Sequence, residues 1–109
     1  MAQQYLDALR ALLEGVRLPD GVDLVCKHFF GGAAAYADGR ICITLTPAGL
    51  AMKLPQNDRA ALEGEGATPL RYFPQGPVKK QYVVLPQNLR DDPERLEACA
   101  LKSIAYVLG

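Results

Sequence analysis

The chain has 109 residues, half of them hydrophobic and 22% charged, which is the composition of a folded domain with one packed core rather than of a disordered segment. Twelve Lys and Arg side chains cancel twelve Asp and Glu, so the basic excess that carries duplex-binding proteins to phosphate is missing and autonomous duplex DNA binding is not expected. No apolar run approaches the roughly 18 to 20 residues that a membrane span needs, and the N-terminus MAQQYLDALRALLEGV holds acidic residues where a secretory signal would be basic, so a membrane partner is not expected either.

Leu6, Leu9, Leu12, Leu13 and Val16 recur at helical spacing, with Asp7, Arg10 and Glu14 around them, which predicts an amphipathic first helix. The breakers Leu18-Pro19-Asp20-Gly21 end it. Val22 to Phe30 reads as a strand with Val22, Leu24, Cys26 and His28 on one face and Asp23, Val25, Lys27 and Phe29 on the other. Gly31-Gly32 makes a bulge or turn. Strands are expected at Ala33 to Ala37 and Arg40 to Thr46, joined by Asp38-Gly39. That pair suits a two-residue type I′ hairpin turn, in which both central residues take positive φ. After a break at Pro47 to Gly49, Leu50 to Leu54 is a half-buried strand with Leu50, Met52 and Leu54 facing one way and Ala51 and Lys53 the other.

Asn57 is the expected cap of a short helix over Asp58 to Glu63, with Gly64 and Gly66 as terminators. Pro69 to Phe73 reads as a strand, Pro74 to Lys80 as a loop, and Gln81 to Leu85 as a well-covered strand. Asp92 caps the last helix, Pro93 takes its first position, and Leu96, Cys99, Ala100, Ser103, Ile104 and Val107 form the inward stripe. The order α-β-β-β-(β)-α-β-β-α predicts an α+β fold: an antiparallel sheet of about five strands with helices on one face, residues 1–109 forming a single domain.

The three cysteines, Cys26, Cys42 and Cys99, are scattered and odd in number, which fits free thiols in a reducing cytoplasm and no disulfide framework. Cys26-x-His28 puts a thiol and an imidazole on one side of a strand, but neither a metal set nor an orienting group accompanies them; a core thiol and an edge histidine are the expectation. Cys99 lies on the helix stripe, and Cys42, between Ile41 and Ile43, packs under a helix or on the less buried face. Gly31-Gly32 leads into a strand, not into the helix that a phosphate loop requires. The carboxylates Glu63, Glu65, Asp91, Asp92, Glu94 and Glu97 sit at helix ends and a turn, where capping and solvation account for them. No cofactor, metal site or catalytic residue is expected. The group that stands out is Arg71, Tyr72, Phe73, Lys79, Lys80 and Tyr82. Basic residues among aromatics form protein-binding hot spots or bind single-stranded nucleic acid by stacking; ordinary strand tyrosines and a solvated loop are the bland alternative. Lys53 and Arg59 extend the candidate patch to Lys53, Arg59, Arg71, Tyr72, Phe73, Lys79 and Lys80.

Several motifs in series carry a family likeness. They are Phe30-Gly31-Gly32; Ala35-Tyr36-x-Asp38-Gly39-Arg40; Leu50-Ala51-Met52-Lys53-Leu54-Pro55; Arg59-Ala60; Gly66-Ala67-x-Pro69-Leu70-Arg71-Tyr72; Lys79 to Pro86; and Asp92-Pro93-Glu94-x-Leu96. Together they resemble the N-terminal domain of the TfoX/Sxy competence-regulator family over about Cys26 to Val107. The resemblance implies a secretion-chaperone-like α+β domain with no catalytic residues to carry over. It also implies a link to competence-type transcriptional regulation, in which full-length regulators carry a second, helical C-terminal domain and act with the cyclic-AMP receptor protein. This chain ends at Gly109, so a stand-alone domain is expected. The expected function is that of a non-enzymatic regulatory or adaptor domain with an unidentified protein partner, as a monomer or homodimer. The alternative is a small-molecule or enzymatic domain with a pocket between sheet and helices.

Overall fold

The N-terminal leucine repeat forms helix α1, Ala2–Leu13, in a computed structural model that describes residues 2–109. Leu6, Leu9 and Leu13 are its buried stripe, and Val16 packs on the same core beyond the helix end. Four antiparallel strands follow as a meander: β1 (Leu24–Phe29), β2 (Gly32–Ala37), β3 (Arg40–Thr46) and β4 (Gly49–Lys53). Helix α2 (Gln56–Glu63) leads to the two-residue β5 (Thr68–Pro69), and β6 (Tyr82–Val84) is followed by the short α3 (Gln87–Arg90) and the long α4 (Pro93–Leu108). The sheet order is β1-β2-β3-β4-β6-β5, antiparallel throughout. The expected α+β class and broad element order therefore hold, with six strands and one additional short helix.

Helices α1 and α4 cover one face of the sheet. Leu6, Leu9 and Leu13 from α1, with Leu96, Cys99, Ala100 and Ile104 from α4, share a core with Ala33, Ala35, Ala37, Ile43, Leu45, Leu50 and Met52. Asp92 caps α4 by accepting from the Arg95 backbone N–H at 3.3 Å, with Pro93 at the helix start. At its other end, the Arg40 guanidinium donates to the Val107 carbonyl at 3.0 Å, placing a cation at the negative helix terminus.

Two hairpin turns have both central residues at positive φ. One is the expected Asp38-Gly39, at 48° and 83°; the other is Phe30-Gly31, at 43° and 73°. The anticipated Gly31-Gly32 break is thus a tight turn that begins one residue earlier, because Gly32 already pairs with Phe29 in the ladder.

Strict alternation fails in β3. The register steps from Ala35↔Ile43 to Tyr36↔Ile41, leaving Cys42 as an extra, bulged residue. Cys42 and Ile43 are both fully buried on the helix side. The Ser103 hydroxyl of α4 donates to the Cys42 carbonyl at 2.9 Å, which explains a buried serine in the helix stripe.

Three further expectations are corrected. Helix α2 starts at Gln56, not after Asn57, because Pro55 supplies the entry (φ −58°, ψ 156°) and its carbonyl accepts from the Arg59 N–H at 3.0 Å; no side chain caps it. The strand expected over Pro69 to Phe73 stops at Pro69. Beyond it the chain folds back on itself: the Lys79 N–H donates to the Leu70 carbonyl at 2.9 Å, and Arg71 reaches the Gly76 carbonyl at 2.8 Å. The helix α3, absent from the sequence reading, enters through Pro86 and is anchored by buried Leu89.

Candidate functional site: an aromatic and lysine face

The sheet face away from α1 and α4 is built from small residues. One cross-strand row reads Ala34, Thr44, Ala51 and Val84, and the first three are fully buried although no helix of the main core covers them. At Gly32 an added Cβ would lie 2.9 Å from Thr46 Cα, so this side of the sheet leaves no room for a side chain there. The covering comes from the segment between β5 and β6. Leu70 is fully buried outside the helix-side core, and Tyr72 lies over the sheet with its hydroxyl toward Thr44, whose buried Oγ1 closes no full hydrogen bond.

Around Tyr72 the aromatic rings gather. Its ring centroid lies 5.9 Å from Phe29 and 5.7 Å from Phe30, both edge-on, and Phe29 and Phe30 are 4.5 Å apart. Lysines stand over the tyrosine faces: Lys79 5.8 Å from Tyr72, Lys53 5.5 Å from Tyr82, and Lys27 5.3 Å from Tyr36. Burial pushes the Tyr72 and Tyr82 phenols above their ordinary value, so both are neutral hydroxyls at physiological pH. Two large apolar groups are nonetheless left in solvent: Phe30 is 74% exposed and Phe73 64% exposed.

Two adjoining hollows open on this face. One, of about 520 Å³, is bounded by Phe29, Ile41, Lys53, Lys80 and Tyr82; the other, of about 570 Å³, by Thr46, Pro47, Phe73 and Pro77. Phe30, Tyr72 and Lys79 are common to both and form the ridge between them. No carboxylate lines either hollow among the described residues.

Of the seven residues singled out in the sequence, the fold brings Lys53, Tyr72, Phe73, Lys79 and Lys80 together around these hollows. Arg59, on α2, lines neither, and its Nε is buried without a hydrogen-bond partner. Arg71, although exposed, lines neither hollow; its guanidinium donates to the Gly76 carbonyl and closes its own loop. Sequence reasoning passed over Phe29, Phe30 and Pro47, which arrive from two hairpin turns far away in the chain. The signals were a phenylalanine directly before Gly31 in a turn, and an absence of acid: no Asp or Glu lies between Asp38 and Asp58, or between Glu65 and Asp91.

The thiols lie apart from this face. All three cysteines are free, and burial raises each of them, Cys42 to about 11, which is the opposite of an activated thiolate. Cys26 is half-buried on the edge strand β1 and His28 is exposed. On the helix side, Arg17–Glu97 (3.2 Å), Arg95–Glu65 (2.7 Å) and Lys102–Asp58 (3.2 Å) tie surrounding segments to α4. No helix among the described residues is long and apolar enough to cross a membrane.

A search of curated proteins finds no match. The family model of the TfoX N-terminal domain, by contrast, matches residues 18–106, which span β1 through nearly all of α4 and include every residue of the aromatic and lysine face; the chain belongs to the TfoX N-terminal domain family.

Proposed function

We propose that the chain works as a single non-enzymatic regulatory or adaptor domain of the cytoplasm, acting through protein–protein contacts in transcriptional, competence-type regulation. Membership of the TfoX N-terminal domain family supports the regulatory part. The observation that carries the contact part is the exposed pair Phe30 and Phe73 at the two hollows, with Lys53, Lys79 and Lys80 around them. Exposed aromatic groups beside basic ones are the composition of an interface hot spot, and the lining of lysines and neutral tyrosines offers binding groups rather than a matched acid and base.

Affinity capture from cell lysate tests this reading, with the parent chain compared with a Phe73→Ala, Lys79→Ala, Lys80→Ala variant. All three side chains are exposed, so the variant should stay folded. Loss of captured protein is the expected result. A folded variant that captures everything the parent captures would remove this face as the functional surface.

A further inference from the structure

We propose that this face binds an acidic peptide segment of its partner, whose single apolar side chain seats between Phe30, Phe73 and Pro77 while Lys53, Lys79 and Lys80 meet the flanking carboxylates. The assignment rests on the protein-contact reading and adds the chemistry of the partner.

Charge complementarity is the first support. The molecule is neutral as a whole, yet both acid-free stretches of the chain converge on this face: one contains β3 and β4, the other the covering segment and β6. Lys79 and Lys80 are exposed and Lys53 half-buried at these hollows, and no carboxylate lines them among the described residues. A neutral molecule with one uncompensated cationic face selects an anionic partner and steers its approach.

The second support is Phe30 itself. A bulky residue at φ 43° occupies the left-handed region that disfavours any side chain larger than Asn or Asp. Such a residue usually reflects a fold that forces it or a function that needs it. The turn does not require this one: Phe30 is 74% exposed, its ring contacts are with Phe29 and Tyr72 of the same face, and the turn would accept Asn or Asp before Gly31. Its side chain projects at the rim of both hollows, where a partner's apolar group would meet it.

The third support is preorganisation. The covering segment is closed by the Lys79 N–H to the Leu70 carbonyl, Arg71 to the Gly76 carbonyl and the Gly76 N–H to the Phe73 carbonyl at 2.9 Å, with Pro74 and Pro77 stiffening it. A loop already ordered loses little entropy on binding. Single-stranded nucleic acid fits less well. Its binding sites track a phosphate backbone with a row of cations, whereas here Lys27, Lys53 and Lys79 each stand over a different tyrosine, and the nearby Arg71 is committed to Gly76.

The test is selection of a random twelve-residue phage-displayed peptide library on the immobilised chain, with counter-selection on the bare support. Selected peptides are then measured by fluorescence anisotropy beside a twenty-nucleotide oligothymidine. Enriched sequences should carry Asp or Glu around one Phe, Leu or Trp. Their affinity should fall at least about tenfold with Phe30→Asn, and again with Lys79→Glu, as expected for an aromatic anchor and a rim charge. Circular dichroism must show both variants folded; if either is not, Phe73→Ala and Lys80→Glu replace them. Enrichment of non-acidic peptides, equal binding by parent and Phe30→Asn, or tighter binding of oligothymidine would each overturn the assignment. If the triple variant of the capture experiment loses its partner while no acidic peptide is enriched, the protein-contact reading stands and this one falls.

Discussion

Two turn residues of opposite character show what single positions contribute. Gly39, at φ 83°, has nothing within 4 Å of where a Cβ would be, so a side chain there meets only the conformational penalty. Gly39→Val should destabilise by about 1 to 3 kcal/mol, read as a lower denaturation midpoint; an unchanged midpoint would mean the hairpin register does not depend on this turn. Phe30, in the equivalent turn between β1 and β2, is the reverse case. Phe30→Asn supplies the Asn-Gly pair that a type I′ turn prefers, at the cost of ring contacts on a residue that is mostly in solvent. Its stability should be unchanged or raised by about 1 kcal/mol in chemical denaturation. A loss of stability instead would make Phe30 a structural residue and remove the argument that its strain serves binding.

Elements were legible where one local signal decides them. The α1 leucine stripe, the Asp92-Pro93 start of α4 and the Asp38-Gly39 hairpin each depend on neighbours within a few residues; the last two formed as read, while α1 formed with its stripe but ends at Leu13, short of Val16 and the expected breakers. Elements were misread where a distant partner decides. The Cys42 bulge depends on Ser103, sixty-one positions away, taking up its carbonyl, and the covering segment leaves the sheet after Pro69 because Leu70 has a buried site on the second face and Arg71 a bond to Gly76. The site was half legible for the same reason: Tyr72, Phe73, Lys79 and Lys80 are close in sequence, while Phe30 and Pro47 join them only through the order of the sheet. Arg17 and Glu97, eighty positions apart, are another such pairing. Hydrogen bonds from the Arg17 guanidinium and backbone N–H hold the Glu97 carboxyl below its ordinary value near 4.5. A lowered carboxyl contributes stability that is complete above that ordinary value and is lost as pH falls through the lowered one. The melting temperature of the parent should therefore exceed that of Glu97→Gln at neutral pH, and the gap should shrink on acidification below the ordinary carboxyl range and narrow in high salt. A gap independent of pH would assign Glu97 a packing role.

For the whole molecule, the consequence of charge placement is clearest with duplex DNA. Net neutrality alone says little, since the charges are unevenly placed: the lysine face is free of lining carboxylates, while Glu97, Glu65 and Asp58 are each paired with a basic side chain along α4. The question is whether the cationic face could hold a duplex by itself. It presents Lys53, Lys79 and Lys80 at the hollows and Lys27 on β1, so at most about four phosphates could be met, giving a log–log salt slope no steeper than about −3.6. Specific duplex binders usually add a helix or ribbon that enters a groove. Here both long helices are packed against the opposite side of the sheet, and the lysines surround hollows instead of a ridge. Random duplex DNA titrated by fluorescence anisotropy at low salt should therefore bind only weakly, above the micromolar range, and lose that binding at physiological salt. Submicromolar affinity with a slope steeper than about four ions would show that more of the surface engages phosphate than this face can supply, and would move the partner of the domain from protein to DNA.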